Sequence, residues 1–367
     1  MRILYGVVGE GMGHATRSRV TIEHLLSRGH HVEVVVSGRA HEMLSKHFKG
    51  VHRIHGLHMI YEDNEVKKTR TALSNLKGAL LPASLREGLP GNVRQWYEMA
   101  QNFAPDAVIS DFESWSYLFG KACGVPVISI DNMQILSRCH HDDEVFAVDP
   151  TSFLLAKGIV RGKLPHCYHY LITTFFYPPT KRERTTLIPP ILRPEVLAAQ
   201  PSREDHVLVY QSGEGAESIA SVLKQFGHQR FLVYGMRRGI SEAQVDGNLE
   251  HQPFSETRFV DHLASAKAVV AGGGFSLMGE AVYLRKPMLS VPLEGQFEQT
   301  LNAVYLQKLG YGLFRREIQP GDIDELLKRA PEFQSRLDAY SQPGNQRLFD
   351  AVDELLERIE AGDKLLP

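Results

Sequence analysis

Residues 268–306 read "AVVAGGGFSLMGEAVYLRKPMLSVPLEGQFEQTLNAVYL" and contain one full turn of an α/β repeat. An apolar strand, 268–271, runs into Gly272-Gly273-Gly274, a helix starts near Phe275-Ser276, and "PMLSVP" (287–292) opens the next strand. Near-continuous apolar strands separated by helices imply a parallel sheet covered on both faces. The backbone N–H groups of Gly274 to Ser276 lie at the positive end of the helix dipole, a place suited to a diphosphate. Glu280 follows Ser276 by one turn on the same helix face, where a carboxylate can accept the two hydroxyls of a ribose. Polar side chains in "PLEGQFEQ" (292–299) collect at the same carboxyl edge and suit a polyhydroxylated ligand. The plainer reading of the segment is a glycine turn with a solvated helix face.

Outward from this segment the alternation continues in both directions. "HVLVYQS" (206–212) and "RFLVYG" (230–235) are strands around a helix from about 217 to 226. In the N-terminal half the strands are "RILYGVV" (2–8), "HVEVVVS" (31–37), "DAVISD" (106–111) and "VPVISID" (125–131). Helices are expected over 16–27, closed by Gly29, and over 115–123, stopped by Gly124. Between the halves, "YPPTKRERTTLIPPILRP" (177–194) carries five prolines and a charged run, which reads as a linker. The pattern predicts an α/β chain of two doubly wound domains, 1–180 and 195–342. A tail helix over 345–360 carries an apolar stripe, Leu348, Val352, Leu355 and Leu356, that packs back on the first domain.

The chain of 367 residues is long for one core, and its 43% hydrophobic content is ample for two. A net charge of −2 argues against general nucleic-acid binding. Three scattered cysteines fit a reducing compartment. Met1-Arg2-Ile3 runs straight into a strand, so no signal peptide is expected, and no apolar run approaches a bilayer span. These features lead us to expect a cytoplasmic protein, with peripheral contact at the inner face of the membrane left open by the apolar stretch 73–85. "KKTR" (67–70), Lys77 and Arg86 form a basic loop, read as a solvated loop or as contact with an anionic acceptor.

"GVVGEGMGHATRS" (6–18) has the strand, glycine loop, helix layout of a phosphate cradle, with Gly11 and Gly13 as the candidate acceptor or phosphate loop. Its glycines do not follow the dinucleotide fingerprint, and His14-Ala15 stands where a P-loop needs Lys-Ser or Lys-Thr. His14 and Asp111 both sit at carboxyl ends of strands, where open α/β sheets collect functional groups. A carboxylate beside an imidazole fixes its tautomer and raises its basicity, making His14 a candidate general base. The alternatives are His14 as a helix-start residue and Asp111 as the N-cap of the 113–123 helix. "CHHDDE" (139–144) and "HCYHY" (166–170) lack C-x-x-C spacing, and no metal site is assigned to them.

Taken together, "GEGMGHATRS", "DAVISDFESW…GVPVISID", "IPPILRPEV" and "GGGFSLMGEA…KPMLSVPLEGQFEQTLNAVYL" resemble the glycosyltransferases of the GT-B fold. This is the superfamily of the UDP-glycosyltransferases and the GlcNAc transferase of lipid II synthesis, in its bacterial and archaeal branch. The resemblance implies two Rossmann-like domains facing a central cleft, the C-terminal one holding a nucleotide-diphospho-sugar, UDP-linked. It implies that the helix start at Gly273, Gly274 and Ser276 takes the diphosphate and Glu280 the ribose, with Glu298 and Gln299 on the donor sugar. His14 then deprotonates an acceptor hydroxyl on a small molecule, lipid or glycan, supported by Asp111. Retaining relatives carry a second glutamate where this chain has Met288, so inversion is expected. Two departures bear on the donor: Gly272-Gly273-Gly274 replaces a His-Cys-Gly, and the loop from Pro292 to Gln299 is longer. No cofactor or metal is expected, the nucleotide sugar being a co-substrate. A nonhydrolysing nucleotide-sugar epimerase of the same fold and a non-catalytic nucleotide-sugar-binding protein are the competing readings.

Overall fold

The computed structural model describes residues 1–9, 12–54, 61–62, 65–66, 91–211, 216–237 and 239–363. The basic and apolar loop positions at 67–70, 73–85 and 86 fall outside them, as does Gly11. Among the described residues, two seven-stranded sheets organise the chain. The first begins with β1 (Arg2–Val7), β2 (His31–Val36) and β3 (Val51–Arg53). After a separate antiparallel pair, β4 (Tyr61–Glu62) and β5 (Glu65–Val66), it continues with β6 (Ala107–Asp111), β7 (Val127–Asp131), β8 (His169–Thr173) and β9 (Thr185–Ile188). Its order is β3-β2-β1-β6-β7-β8-β9, parallel throughout.

The second sheet holds β10 (His206–Tyr210), β11 (Arg230–Tyr234), β12 (Gln244–Asp246), β13 (Leu249–His251), β14 (Ala268–Ala271), β15 (Met288–Ser290) and β16 (Gly312–Phe314). Its order is β12-β13-β11-β10-β14-β15-β16, and only β12 runs antiparallel to its neighbour. In both sheets the winding reverses beside the first strand, between β1 and β6 and between β10 and β14. The crevice outside the carboxyl ends at such a reversal is where open α/β sheets bind ligands. Register brings the ends level: Val7 lies opposite both Val36 and Asp111, and Ala271 opposite both Tyr210 and Ser290.

The chain forms two compact units. One comprises Met1–His140, Lys157–Ile191 and Asn345–Pro367, and the other His141–Ala156 and Leu192–Gly344. The sequence pattern marks a linker at 177–194 and a return of the tail helix to the first domain; the chain passes between the units at four places, after His140, Ala156, Ile191 and Gly344. Part of that supposed linker is β9, an edge strand paired on one side with β8, and Ile188 and Ile191 are buried. An edge position tolerates the prolines that follow at 189 and 190. Residues 141–156 leave the first unit because their aromatic side chains pack on a helix of the second, α5 (Phe297–Lys308). The Phe153 ring lies 5.3 Å from Phe297, His141 Nδ1 is 3.1 Å from Tyr305 Oη, and Lys308 pairs with Asp142.

In the first unit the tail helix α6 (Gln346–Glu360) buries Leu348, Val352, Leu355, Leu356 and Ile359 in the same core as Ile3, Tyr5 and Val34. Its other anchor is the first helix, α1 (Met12–Ser27): His24 stacks on Phe349 at 4.1 Å and bonds Asp353 at 2.8 Å. Leu356→Ala is expected to destabilise the first unit by about 2–5 kcal/mol, the range for a buried Leu→Ala change. Truncation after Gly344 is expected to cost more. Urea unfolding midpoints check both; a midpoint equal to that of the parent chain would show that the stripe covers nothing essential.

Candidate functional site

At the end of β1 the backbone is held where only glycine fits. A Cβ on Gly9 would stand 1.7 Å from the Ser37 carbonyl oxygen, and Gly9 N–H donates to Ser37 Oγ at 3.0 Å. This fastens the glycine turn to the turn after β2. Helix α1 then starts at Met12, four residues before the Thr16 expected from pattern, so Gly13 and His14 belong to its first turn. Thr16 Oγ1 donates back to the Met12 carbonyl at 2.9 Å, which tightens that turn.

Gly6, one register back, has no room for a methyl: its Cβ would meet Ser116 Oγ at 1.9 Å. Helix α2 (Ser114–Cys123) thereby starts against β1, and Glu113 caps it, accepting from the N–H groups of Trp115 and Ser116 at 2.7 Å each. The capping role considered for Asp111 is thus filled by Glu113, and Asp111 is left for other partners. Between the two acids Phe112 takes a positive φ of 53°, a conformation that costs about 1–3 kcal/mol and persists only when its surroundings enforce it. Lys163, at the end of α3 (Pro150–Lys163), places Nζ 4.0 Å over the Phe112 ring.

Three side chains converge on the fully buried Asp111 carboxylate through four contacts. His14 Nδ1 lies 2.8 Å from Oδ1, Arg17 Nε donates to Oδ2 at 2.8 Å, Arg17 Nη2 donates to Oδ1, and Ser18 Oγ donates to Oδ2 at 2.9 Å. His14, Arg17 and Ser18 stand at i, i+3 and i+4 of α1 and so share one face. Burial pushes the Asp111 carboxyl up, but Arg17 and His14 outweigh it and hold it at about 2. Burial lowers the His14 pKa from the ordinary histidine value; Arg17 adds to that and Asp111 opposes it. The result is a neutral, partly exposed imidazole beside an ionised carboxylate. Next in the sheet, burial raises Asp131 to about 6, where it accepts from Ser129 Oγ and Gln134 N–H.

In the second unit β14 ends at Ala271, and α4 (Phe275–Tyr283) begins with Gly274 as its N-cap. Gly273 is obligatory, because its Cβ would stand 2.2 Å from the Gln299 carbonyl oxygen. That close approach seats the first turn of α5 on the glycine turn. Gln299 Oε1 accepts from Gly273 N–H at 3.2 Å and from Leu293 N–H at 3.1 Å. The buried Asn302 donates from Nδ2 to the Gly273 carbonyl at 3.1 Å and also to Glu298 Oε1. Glu298 and Gln299 are therefore tied to the glycine turn, with Ser276 on the first turn of α4.

Glu280 is buried and faces a guanidinium: Arg193 Nε and Nη2 donate to Oε1 and Oε2 at 2.8 and 2.9 Å. Each oxygen keeps a further lone pair for a hydroxyl donor. Sequence reasoning missed both Arg17 and Arg193. The available signals were the i, i+3 spacing of Arg17 from His14 and the position of Arg193 inside "IPPILRPEV". Among the described residues no group of three or more His, Cys, Asp or Glu side chains is arranged to hold a metal, and no helix is long and apolar enough to cross a membrane.

Residues 1–331 match the family described as glycosyl transferase family 1. The chain belongs to that family. An uncharacterized glycosyltransferase of Methanosarcina mazei is 26% identical over 393 residues, covering 100% of both chains. The UDP-N-acetylglucosamine–N-acetylmuramyl-(pentapeptide) pyrophosphoryl-undecaprenol N-acetylglucosamine transferase of Thermotoga neapolitana is 31% identical over 121 residues, 31% of this chain and 35% of that one. The structure of Phytolacca americana UGT2, complexed with UDP-2-fluoroglucose and pterostilbene, has a TM-score of 0.65 at 14% identity, covering 97% of this chain and 98% of that one. The two-sheet architecture is thus the Rossmann-like GT-B fold, and the chain is a glycosyltransferase of that type.

The Asp111 cluster makes this glycosyltransferase acid-sensitive in a defined window. Asp111 titrates at about 2 when folded and at about 3.9 when unfolded, so its stabilisation is complete above roughly pH 4 and lost as pH falls towards 2. Asp111→Asn is expected to flatten the fall in stability across that window, read from urea midpoints at successive pH values. An unaltered slope would show that Asp111 carries no linked proton.

Proposed function

We propose that this glycosyltransferase moves a sugar, with inversion, from a UDP-linked nucleotide-diphospho-sugar to an acceptor hydroxyl of a small molecule, lipid or glycan, without a metal. The observation that carries the reading is the neutral His14 imidazole bonded to an ionised, buried Asp111 at the point where the first sheet reverses its winding. A UDP donor is supported by the names of the Thermotoga relative and of the plant complex.

In this reading His14 receives the acceptor proton on Nε2 while Nδ1–H donates to Asp111, which steadies the imidazolium as it forms. The acceptor oxygen attacks the anomeric carbon, the bond from that carbon to the diphosphate breaks, and the bonding pair leaves with the diphosphate. The start of α4, with Gly273, Gly274 and Ser276, meets the growing charge through backbone dipoles. Glu280, held by Arg193, accepts the ribose hydroxyls, and Glu298 and Gln299 orient the sugar. Gln299 Oε1 is committed to two backbone N–H groups and Nε2 donates one hydrogen to Gln296 Oε1, so the second amide hydrogen is the part that addresses the ligand.

His14→Ala is expected to lower turnover by about 10²–10⁴-fold while UDP affinity in calorimetry stays the same. Full turnover in that variant would leave a glycosyltransferase whose base is another group; loss of UDP binding would make the N-terminal loop the nucleotide site. Glu280→Gln, which keeps one of the two acceptors that Arg193 uses, is expected to weaken UDP-sugar binding by about 1–3 kcal/mol. An unchanged affinity removes Glu280 from the ribose. Turnover is expected to survive EDTA, and strict dependence on a divalent ion would overturn the metal-free route.

A further inference from the structure

Arg17 does more than neutralise Asp111. Its Nη2 donates to Asp111 Oδ1 and also lies 2.7 Å from His14 Nδ1, the atom that sits 2.8 Å from the same carboxylate. Nδ1 of a neutral imidazole holds either a proton or a lone pair. With the proton there, it donates to Asp111 and leaves Nε2 basic. With the lone pair there, it accepts from Arg17, the proton moves to Nε2, and the ring cannot act as a base through that nitrogen. Asp111 can only accept and Arg17 can only donate, so the two compete for one atom.

From this geometry, and resting on the reading of His14 as the base, we infer that Arg17 is a positioning residue that competes with Asp111 for His14 Nδ1, so that the ring proton is shared between Nδ1 and Nε2 and the ring is kept from charging. Its guanidinium and the Ser18 hydroxyl occupy the Asp111 carboxylate from the same helix face, which reduces the pull of Asp111 on the His14 proton. A lysine could supply the charge but not the fork that reaches the carboxylate and the imidazole together. The other ionisable groups around the cluster come from separate elements. Lys163 of α3 adds its positive charge near His14; Asp131 of β7 and Tyr5 of β1 each act on both Asp111 and Arg17. None of them reaches both partners by hydrogen bonds as Arg17 does.

The test is nitrogen NMR of the full ligand-free chain with labelled histidine, the His14 signals being assigned by their loss in His14→Gln. In the parent chain His14 is expected to titrate below the ordinary histidine range, with both ring nitrogens showing shifts averaged between the two tautomers. In Arg17→Met, Asp111 acts unopposed, so the titration point should rise by about 1–3 pH units and the proton should settle on Nδ1. In Arg17→Lys the ring should stay neutral but also settle on Nδ1. Unchanged nitrogen shifts and titration in a folded Arg17→Met overturn the inference. So does a parent His14 that titrates above the ordinary range, which needs no variant. Neither readout uses turnover: if His14→Ala proves fully active, His14 loses its role as base while these titrations still judge Arg17.

Discussion

In each unit, the backbone at the carboxyl end of a central strand approaches a neighbour so closely that no side chain fits. Gly6 meets Ser116 and Gly273 meets the backbone of Gln299. These two contacts position most of the chemistry. At Gly6 the start of α2 is drawn against β1, so the strand that precedes it ends with Asp111 level with Val7 and within reach of α1. At Gly273 the first turn of α5 is seated on the glycine turn, which brings Glu298, Gln299 and Asn302 to the start of α4. A methyl at either position would have to displace backbone or a buried capping residue, and interiors packed to crystal density transmit such a shift.

Both units also clamp one carboxylate with one arginine fork, Arg17 on Asp111 and Arg193 on Glu280. A buried ion pair of this kind adds little net stability, but removing one partner leaves an uncompensated charge and costs several kcal/mol. The clamp therefore narrows what each acid can become. It keeps one orientation and presents its remaining lone pairs in a fixed direction. For Glu280 those lone pairs suit hydroxyl donors, and for Asp111 one of them meets His14.

The strand, glycine, helix succession at 268–283 was readable because strand period, glycine clustering and helix start signals coincide there. Asp111 was readable as the polar end of an apolar run. Its helix-capping alternative was not separable by sequence, since Asp111 and Glu113 both precede the helix and only the turn at Phe112 decides which one caps. Arg17 was hidden for a general reason: a basic residue in an amphipathic helix reads as solvated surface unless its partner is known, and the partner lies 94 residues away. Strand β9 was masked by a charged run before it and two prolines after it, which mimic a linker. The move of residues 141–156 to the second unit was masked too, because its cause is ring packing between Phe153 and Phe297, a tertiary match with no local periodicity.

The core of the first unit is closed by α6, the last helix of the chain, while the second unit is complete at Gly344. During synthesis the strands of the first sheet emerge early, yet the face that Leu348, Val352 and Leu355 cover stays open until the whole second unit has followed. At the usual rate of elongation, about 5–20 residues per second, that interval is on the order of ten seconds. An apolar sheet face left uncovered for so long is a target for chaperones and for pairing with other nascent chains. The unit whose sequence comes first is therefore the one that finishes last.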